Sequence, residues 1–260
     1  MRSDFDASWF PGHMAKSIKR IQQIAKFVDF WFEIVDARAP ISSRSDHLLK
    51  FNNGKPVVIV LNKADLANDF VTDSWISHFK KLNIISIKSS NKIRVKNSVL
   101  SSVKKLNIKK KFGNSLRAAV IGVPNVGKSC FINNLKGSKK LKVENKAGVT
   151  RDLNWVSCGN LEICDTPGLL PPKVESNFAK KIAYLGLIKD EIIDSEKLAL
   201  NLISDIKSPD DSFEFLKEFA KKSGCLLHGG TLDLQRASSL FIKQFRDGKF
   251  GKISLEAPFE

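Results

Sequence analysis

The sequence predicts an α/β fold: a mainly parallel sheet flanked by helices, followed by a small all-α unit. Three observations carry that reading. Up to residue 165, short and nearly continuous apolar runs alternate with amphipathic stretches, the pattern of parallel strands buried on both faces. Two of the runs are separated only by Gly159-Asn160, which marks one antiparallel hairpin. Beyond Pro171-Pro172 the strand-like runs give out while helical periodicity continues. The boundary is therefore expected at about residue 172, dividing the chain into 1–172 and 173–260.

The elements follow in order. Ile18, Ile21 and Ile24 recur at near-helical spacing, so a short amphipathic helix is expected there, after an irregular WFPGHM segment. FVDFWFEIVDA (27–37) and VVIVLN (57–62) read as buried strands, with a helix over 74–82 and a third strand at IISIK (84–88). Residues 95–106 read as a helix, LRAAVIG (116–122) as the fourth strand, and a helix opens at Lys128. NWVSC and LEICD form the hairpin. Residues 176–188, 196–206, 212–222 and 231–246 fit helices, and KISLE near the end is the one remaining strand candidate.

Composition sets limits. In 260 residues, 43 Lys and Arg against 27 Asp and Glu give a net charge of +16, which points to a polyanionic partner, nucleic acid or anionic lipid. A hydrophobic content of 42% with 18 Phe excludes a disordered chain. No apolar run is long enough to span a membrane, and MRSDFDASWFPGHMAK lacks the apolar core of a secretory signal. Cys130, Cys158, Cys164 and Cys225 form no CxxC pair, so neither a zinc site nor a disulfide framework is expected, and a reducing cytoplasm suits them. From Lys80 to Arg117 there are twelve Lys or Arg and no acid, the pattern of a phosphate-backbone footprint on structured RNA.

Gly122-Val-Pro-Asn-Val-Gly127-Lys128-Ser129 matches GxxxxGK[ST], after a predicted strand and before a predicted helix. Glycines let backbone N–H groups face phosphates, and the helix N-terminus adds positive potential. Asn125, Val126, Gly127, Lys128, Ser129 and Cys130 are the candidate phosphate binders, with Lys128 reaching the β and γ phosphates and Ser129 on Mg²⁺. Asp165-Thr-Pro-Gly168 ends the LEIC strand, placing Asp165 as a second magnesium-site acid and Gly168 as a γ-phosphate sensor. Asn62-Lys63-Ala-Asp65 ends the VVIVL strand. An NKxD carboxylate accepts two N–H donors from guanine, and adenine cannot supply that pair. Together the three motifs point to GTP and GDP. Thr150, in a polar stretch before the hairpin, is the expected switch threonine, a magnesium ligand in the GTP state.

NKxD precedes the P-loop here, whereas in Ras-like GTPases it follows. A permutation changes connections and not contacts, so the same site is still expected to assemble. It also sets the segment after Gly168 beside residues 173–260, a route by which nucleotide state is expected to reach them. Leu169 occupies the position where a glutamine orients the attacking water, and leucine cannot do so. His13 is one candidate for that task, with a surface or packed histidine as the other reading. Asn125 is either a ligand for a monovalent cation or a loop cap.

WFPGHMAK (9–16), DARAP (36–40), LNKADL (61–66), GVPNVGKS (122–129), GVT (148–150) and DTPG (165–168) together resemble the circularly permuted GTPases. GCLLHGGTLDLQRA (224–237) extends the likeness to nearly the whole chain. The resemblance implies a circularly permuted Ras-like P-loop GTPase domain with a mainly parallel sheet, and a small all-α RNA-binding domain after it. It implies an enzyme that binds the assembling large ribosomal subunit and its rRNA late in maturation. A monomer with no membrane or DNA partner is expected, since no exposed heptad or long edge strand demands a dimer. It further implies that His13 takes over from the missing glutamine, joining Lys128 and Thr150 as catalytic residues, and that K⁺ is held by Asn125. The chain departs from the family's pattern at SIKSS (86–90), where Ser89 is the candidate behind the base, at Cys130, and at Arg151-Asp152. The rival readings are a GTP-dependent switch on another RNA or the small subunit, and an RNA scaffold that does not turn over.

Overall fold

A computed structural model describes residues 11–44, 50, 52–111, 114–136, 143–144, 155–168, 176–188 and 193–258. The middle of the five parallel strands is β1 (Phe30–Asp36), buried along its whole length. It pairs in parallel with β2 (Val57–Asn62) on one side and β4 (Leu116–Ile121) on the other. With β3 (Ile85–Lys88), β5 (Val143–Glu144), β6 (Trp155–Cys158) and β7 (Leu161–Asp165), the sheet order is β3-β2-β1-β4-β7-β6-β5. The first five strands in that order run parallel, and β6 and β5 are antiparallel. The α/β class, the mainly parallel sheet and the hairpin at Gly159-Asn160 are as the sequence predicts.

Helix α1 (Pro11–Ala25) is longer than its apolar spacing suggests. It starts at Pro11 inside the segment expected to be irregular. Proline suits the first helical position because its φ is preset and its missing N–H would have no partner there. Ile21, Ile24 and Ala25 pack on Trp31, Ala119, Ile121 and Trp155 of one sheet face. Helix α2 (Asp69–Lys81) likewise begins earlier than expected, because the Asn68 side chain accepts a hydrogen bond from Val71 N–H and caps it. Its Trp75 and Phe79 pack on Val35, Ile59 and Leu61. Helices α3 (Lys96–Lys105) and α4 (Lys128–Lys136) fall where they were read.

Past the sheet come α5 (Ser176–Tyr184), α6 (Ser195–Lys207), α7 (Ser212–Lys222) and α8 (Leu234–Arg246). Asp194, Asp211 and Asp233 cap the last three by accepting from backbone N–H groups. Helix α5 stops four residues short of the expected end. Gly186 takes φ +68°, Gly186 N–H bonds Ala183 O, and Leu187 N–H bonds Ile182 O, the hydrogen-bond pair of a Schellman stop. Phe241 of α8 gathers Phe215, Phe219 and Phe250 around it. One hydrophobic core runs from Phe30, Val58 and Val120 through Ile182 and Leu187 to Leu202 and Phe245. The expected boundary at about residue 172 lies outside the described residues.

KISLE is not a strand. Ile253 N–H bonds Leu66 O and Leu255 N–H bonds Arg38 O, so the extended tail spans two separate loops and no ladder forms. Arg38 and Leu66 follow two different strands, β1 and β2. The loops after β1, β2, β3, β4 and β7 gather at one edge of the sheet, where parallel strands end and ligands of such folds bind.

Candidate functional site

The P-loop joins β4 to α4, with Val126 buried and Asn125 exposed at φ +56°. Gly127 is held so close to β2 that an added Cβ would lie 2.2 Å from Asn62 Nδ2. That amide donates to Val126 O at 2.9 Å. The NKAD loop and the P-loop are thus hydrogen-bonded to each other, although 64 residues separate the partners. Lys128 is buried and folds back over its own loop, donating to Val123 O at 3.0 Å and Gly122 O at 3.3 Å. Burial pulls its pKa below the ordinary lysine value, and Asp165 opposes that only in part. A polyanion in the loop would restore the missing counter-charge.

Ser129 Oγ donates to Asp165 Oδ2 at 2.9 Å, while Asp165 Oδ1 is buried and has no partner. A hydroxyl and a half-satisfied carboxylate side by side fit a hard cation such as Mg²⁺. Thr166 Oγ1 donates to Val120 O at 2.7 Å and ties the end of β7 to β4. Gly168 lies against the P-loop: a Cβ there would come within 2.9 Å of Pro124 backbone and 2.8 Å of Lys128 Nζ. Cys130 is exposed in the first turn of α4.

At the other end, Lys63 adopts φ +56° and its Nζ lies 3.1 Å from Asp36 Oδ2. Asp65 Oδ2 is met at 3.1 Å by Lys92 Nζ. Ser89 is buried behind this loop; Ala64 N–H bonds its carbonyl and its Oγ has no partner. Asn134 of α4 donates to Ser90 O and Ile93 O, fixing the loop after β3 to the P-loop helix.

The structure thus brings together Asn62, Lys63, Asp65, Ser89, Asn125, Val126, Gly127, Lys128, Ser129, Cys130, Asp165 and Gly168. His13 belongs to α1, but its side chain lies outside the described residues, as do Thr150 and Leu169. Sequence reasoning gave no task in the pocket to Asp36, Arg38, Lys92 or Asn134. Asp36 is fully buried and accepts from Arg38 N, Nε and Nη2 at 2.9–3.1 Å as well as pairing with Lys63. Burial alone would push its carboxyl up; Arg38 and Lys63 outweigh that and hold it well below the usual carboxylate range. The signal available in the sequence was an acid at the end of an apolar strand with an arginine two residues on.

A protein-family model described as "50S ribosome-binding GTPase" matches residues 117–227. Ribosome biogenesis GTPase A of Bacillus cereus is 34% identical over 97% of this chain and 94% of its own length. Its namesake from Thermotoga maritima is 34% identical over 96% and 94%. The crystal structure of GNP-bound YlqF from T. maritima superposes with a TM-score of 0.74 at 30% identity, covering 94% of this chain and 99% of that one. With a permuted strand order, a P-loop and an NKAD loop in one pocket, and full-length relatives of that kind, the chain belongs to the ribosome biogenesis GTPase A family of GTP-hydrolysing enzymes.

Proposed function

We propose that this GTPase binds the precursor of the large ribosomal subunit, through its rRNA, and hydrolyses GTP on docking to assist late maturation. The reading rests on one observation above others: the bond from Asn62 to Val126 holds base and phosphate loops in one frame, in a chain whose relatives are named for ribosome biogenesis. In this scheme Asp65 accepts the paired N–H groups of guanine, and Ser89 backs the base. Backbone N–H groups of residues 125–130 and the Lys128 ammonium bind the phosphates. Ser129, Asp165 and Thr150 would hold Mg²⁺, which supplies neutralisation of phosphate charge. Asn125 has spent its Nδ2 on Gly186 O at 3.1 Å, leaving Oδ1 as the ligand atom for K⁺. Gly168 N–H senses the γ phosphate. His13 positions the attacking water in place of a glutamine.

The basic stretch supports an RNA partner. Lys88, Lys92 and Arg117 pair with Asp73, Asp65 and Glu162. Lys80, Lys81, Arg94, Lys96, Lys104, Lys105 and Lys109–Lys111 have no acid at ion-pair distance among the described residues. Among the described residues no helix is long and apolar enough to cross a membrane. The partner we assign is rRNA, not DNA or lipid, and the protein acts as a cytoplasmic monomer.

The test is GTP turnover in potassium buffer, alone and with isolated large or small subunits, beside His13→Ala. Unassisted turnover of about 10⁻⁴–10⁻³ s⁻¹ is expected. Stimulation by the large subunit alone, lost in the variant, supports the scheme. Stimulation that survives in the variant moves the water-positioning group elsewhere. No stimulation by either subunit overturns the assignment of partner.

A further inference from the structure

The C-terminal helices touch the nucleotide pocket at both of its ends. At the base end, Arg38 is buried with its guanidinium 5.6 Å over the Phe245 ring of α8, and its Nη1 is 3.4 Å from Arg246 O. The same guanidinium grips Asp36, and Asp36 pairs with Lys63 of NKAD. The next turn of that motif is held as well. Leu66 O accepts from Ile253 N–H, and a Cβ on Gly248 would lie 2.8 Å from Leu66 Cδ2, so the turn after α8 sits directly on it. Arg38 O accepts from Leu255 N–H at 2.7 Å. The buried Glu256 carboxylate accepts from Ile41 and Ser42 N–H, and its carbonyl from Trp75 Nε1.

The path then returns to the phosphate end. Arg246 donates to Tyr184 O at 2.9 Å and Ala183 O at 2.8 Å, binding α8 to the C-terminal end of α5. Two residues on, Gly186 O accepts from Asn125 of the P-loop. Lys63, Asp36, Arg38, Arg246, the Gly186 turn and Asn125 therefore make a closed circuit through the C-terminal helices. Cation and carboxylate are both buried in it, where a shift of either costs most.

We propose that the Asp36–Arg38 pair is a positioning relay, through which guanine nucleotide in the NKAD pocket and the docked α8-to-Glu256 segment stabilise each other. The proposal rests on the base pocket assigned above. It differs from transmission through the segment after Gly168. A relay that starts at Lys63 and Leu66 responds to the base, and so to GDP and a GTP analogue alike. Coupling is reciprocal by thermodynamic necessity: a nucleotide that stiffens the NKAD loop tightens the C-terminal helices, and loosening the helices weakens nucleotide binding by the same factor.

Hydrogen exchange of the full chain, empty and saturated with GDP or a non-hydrolysable GTP analogue, reads the relay directly. Either nucleotide should slow exchange of residues 234–246 and 252–256 by about 5-fold or more, the low end of ordinary coupling. Arg38→Lys keeps the charge but loses the planar fork and the ring contact, so that protection should fall to less than half while GDP still binds. If the Lys variant proves unstable, Phe245→Leu, which removes the ring under the guanidinium and keeps an apolar core side chain, should do the same. Equal protection in wild type and variants overturns the relay, and so does no protection in wild type at saturation. Asp65→Asn separates failure of the relay from failure of the pocket. It should move preference from GDP to XDP, whose 2-oxo group accepts from the new amide. If it does and the variants leave protection intact, the relay alone falls; if it does not, the base assignment falls and the relay with it.

Discussion

The phosphate end and the base end of the pocket are built on opposite electrostatic plans. At the phosphate end, polar groups wait. Among the described residues Lys128 donates only to carbonyls of its own loop, and one oxygen of Asp165 has no partner. At the base end the charges are already matched inside the protein, Asp36 by Arg38 and Lys63 and Asp65 by Lys92. A ligand entering the first completes unmet interactions. A ligand entering the second must exchange for existing ones. Affinity is therefore expected to come mainly from the phosphate end, and the base end is expected to govern discrimination and communication.

The base end is tested most directly at Asp36. Asp36→Asn leaves the buried Arg38 and the partly exposed Lys63 without their counter-charge, and removing one partner of a buried pair such as Asp36–Arg38 costs about 3–5 kcal/mol. The carboxyl ionises well below its unfolded value of about 3.9, so its contribution is complete above that pH and is lost as pH falls beneath it. Urea midpoints of wild type and variant should differ widely at neutral pH and converge as the solution is acidified below about pH 4. A gap that stays constant down to the lowest usable pH would show that the pair contributes shape and not charge.

The phosphate end is tested at Gly127. A methyl there meets Asn62 Nδ2 at 2.2 Å, and φ +101° strains any side chain. Gly127→Ala must either drive the Asn62 amide off Val126 O or push the NKAD and P-loops apart. A displacement of that kind should weaken GDP binding by about 100-fold or more, in keeping with the cost of misplacing groups by an ångström. Titration with a fluorescent GDP analogue measures it. Binding within a few-fold of wild type would mean that the two loops tolerate independent movement.

How much of this was legible in the sequence depended on range. The P-loop, NKAD and DTPG are short strings whose chemistry is local, and the strands that carry them are continuous apolar runs. Helix ends were less legible because caps decide them. Asn68 starts α2 and Gly186 ends α5, whereas hydrophobic spacing alone puts those limits several residues away. The tail is less legible still: KISLE alternates like a strand, yet its partners are two loop carbonyls supplied by Arg38 and Leu66. Asp36 and Arg38 were visible as a motif but not as a device. Their meaning lies in Phe245 and Arg246, more than 200 residues away, and no local pattern carries that distance.

The finest distinction between the two ends lies in Lys92. Its side chain is 76% exposed, so its pair with Asp65 belongs to the class worth about 0–1 kcal/mol. Guanine must displace this ammonium, or share the carboxylate with it, before Asp65 can accept both N–H groups. Lys92→Ala removes the competitor and should tighten GDP binding by up to about 5-fold at low salt, the equivalent of 1 kcal/mol. The gain should fade as salt screens the exposed pair in the wild type. Weaker GDP binding in the variant would reverse the argument, because it would make Lys92 a contact of the bound nucleotide and the base end a place where charge also waits for its ligand.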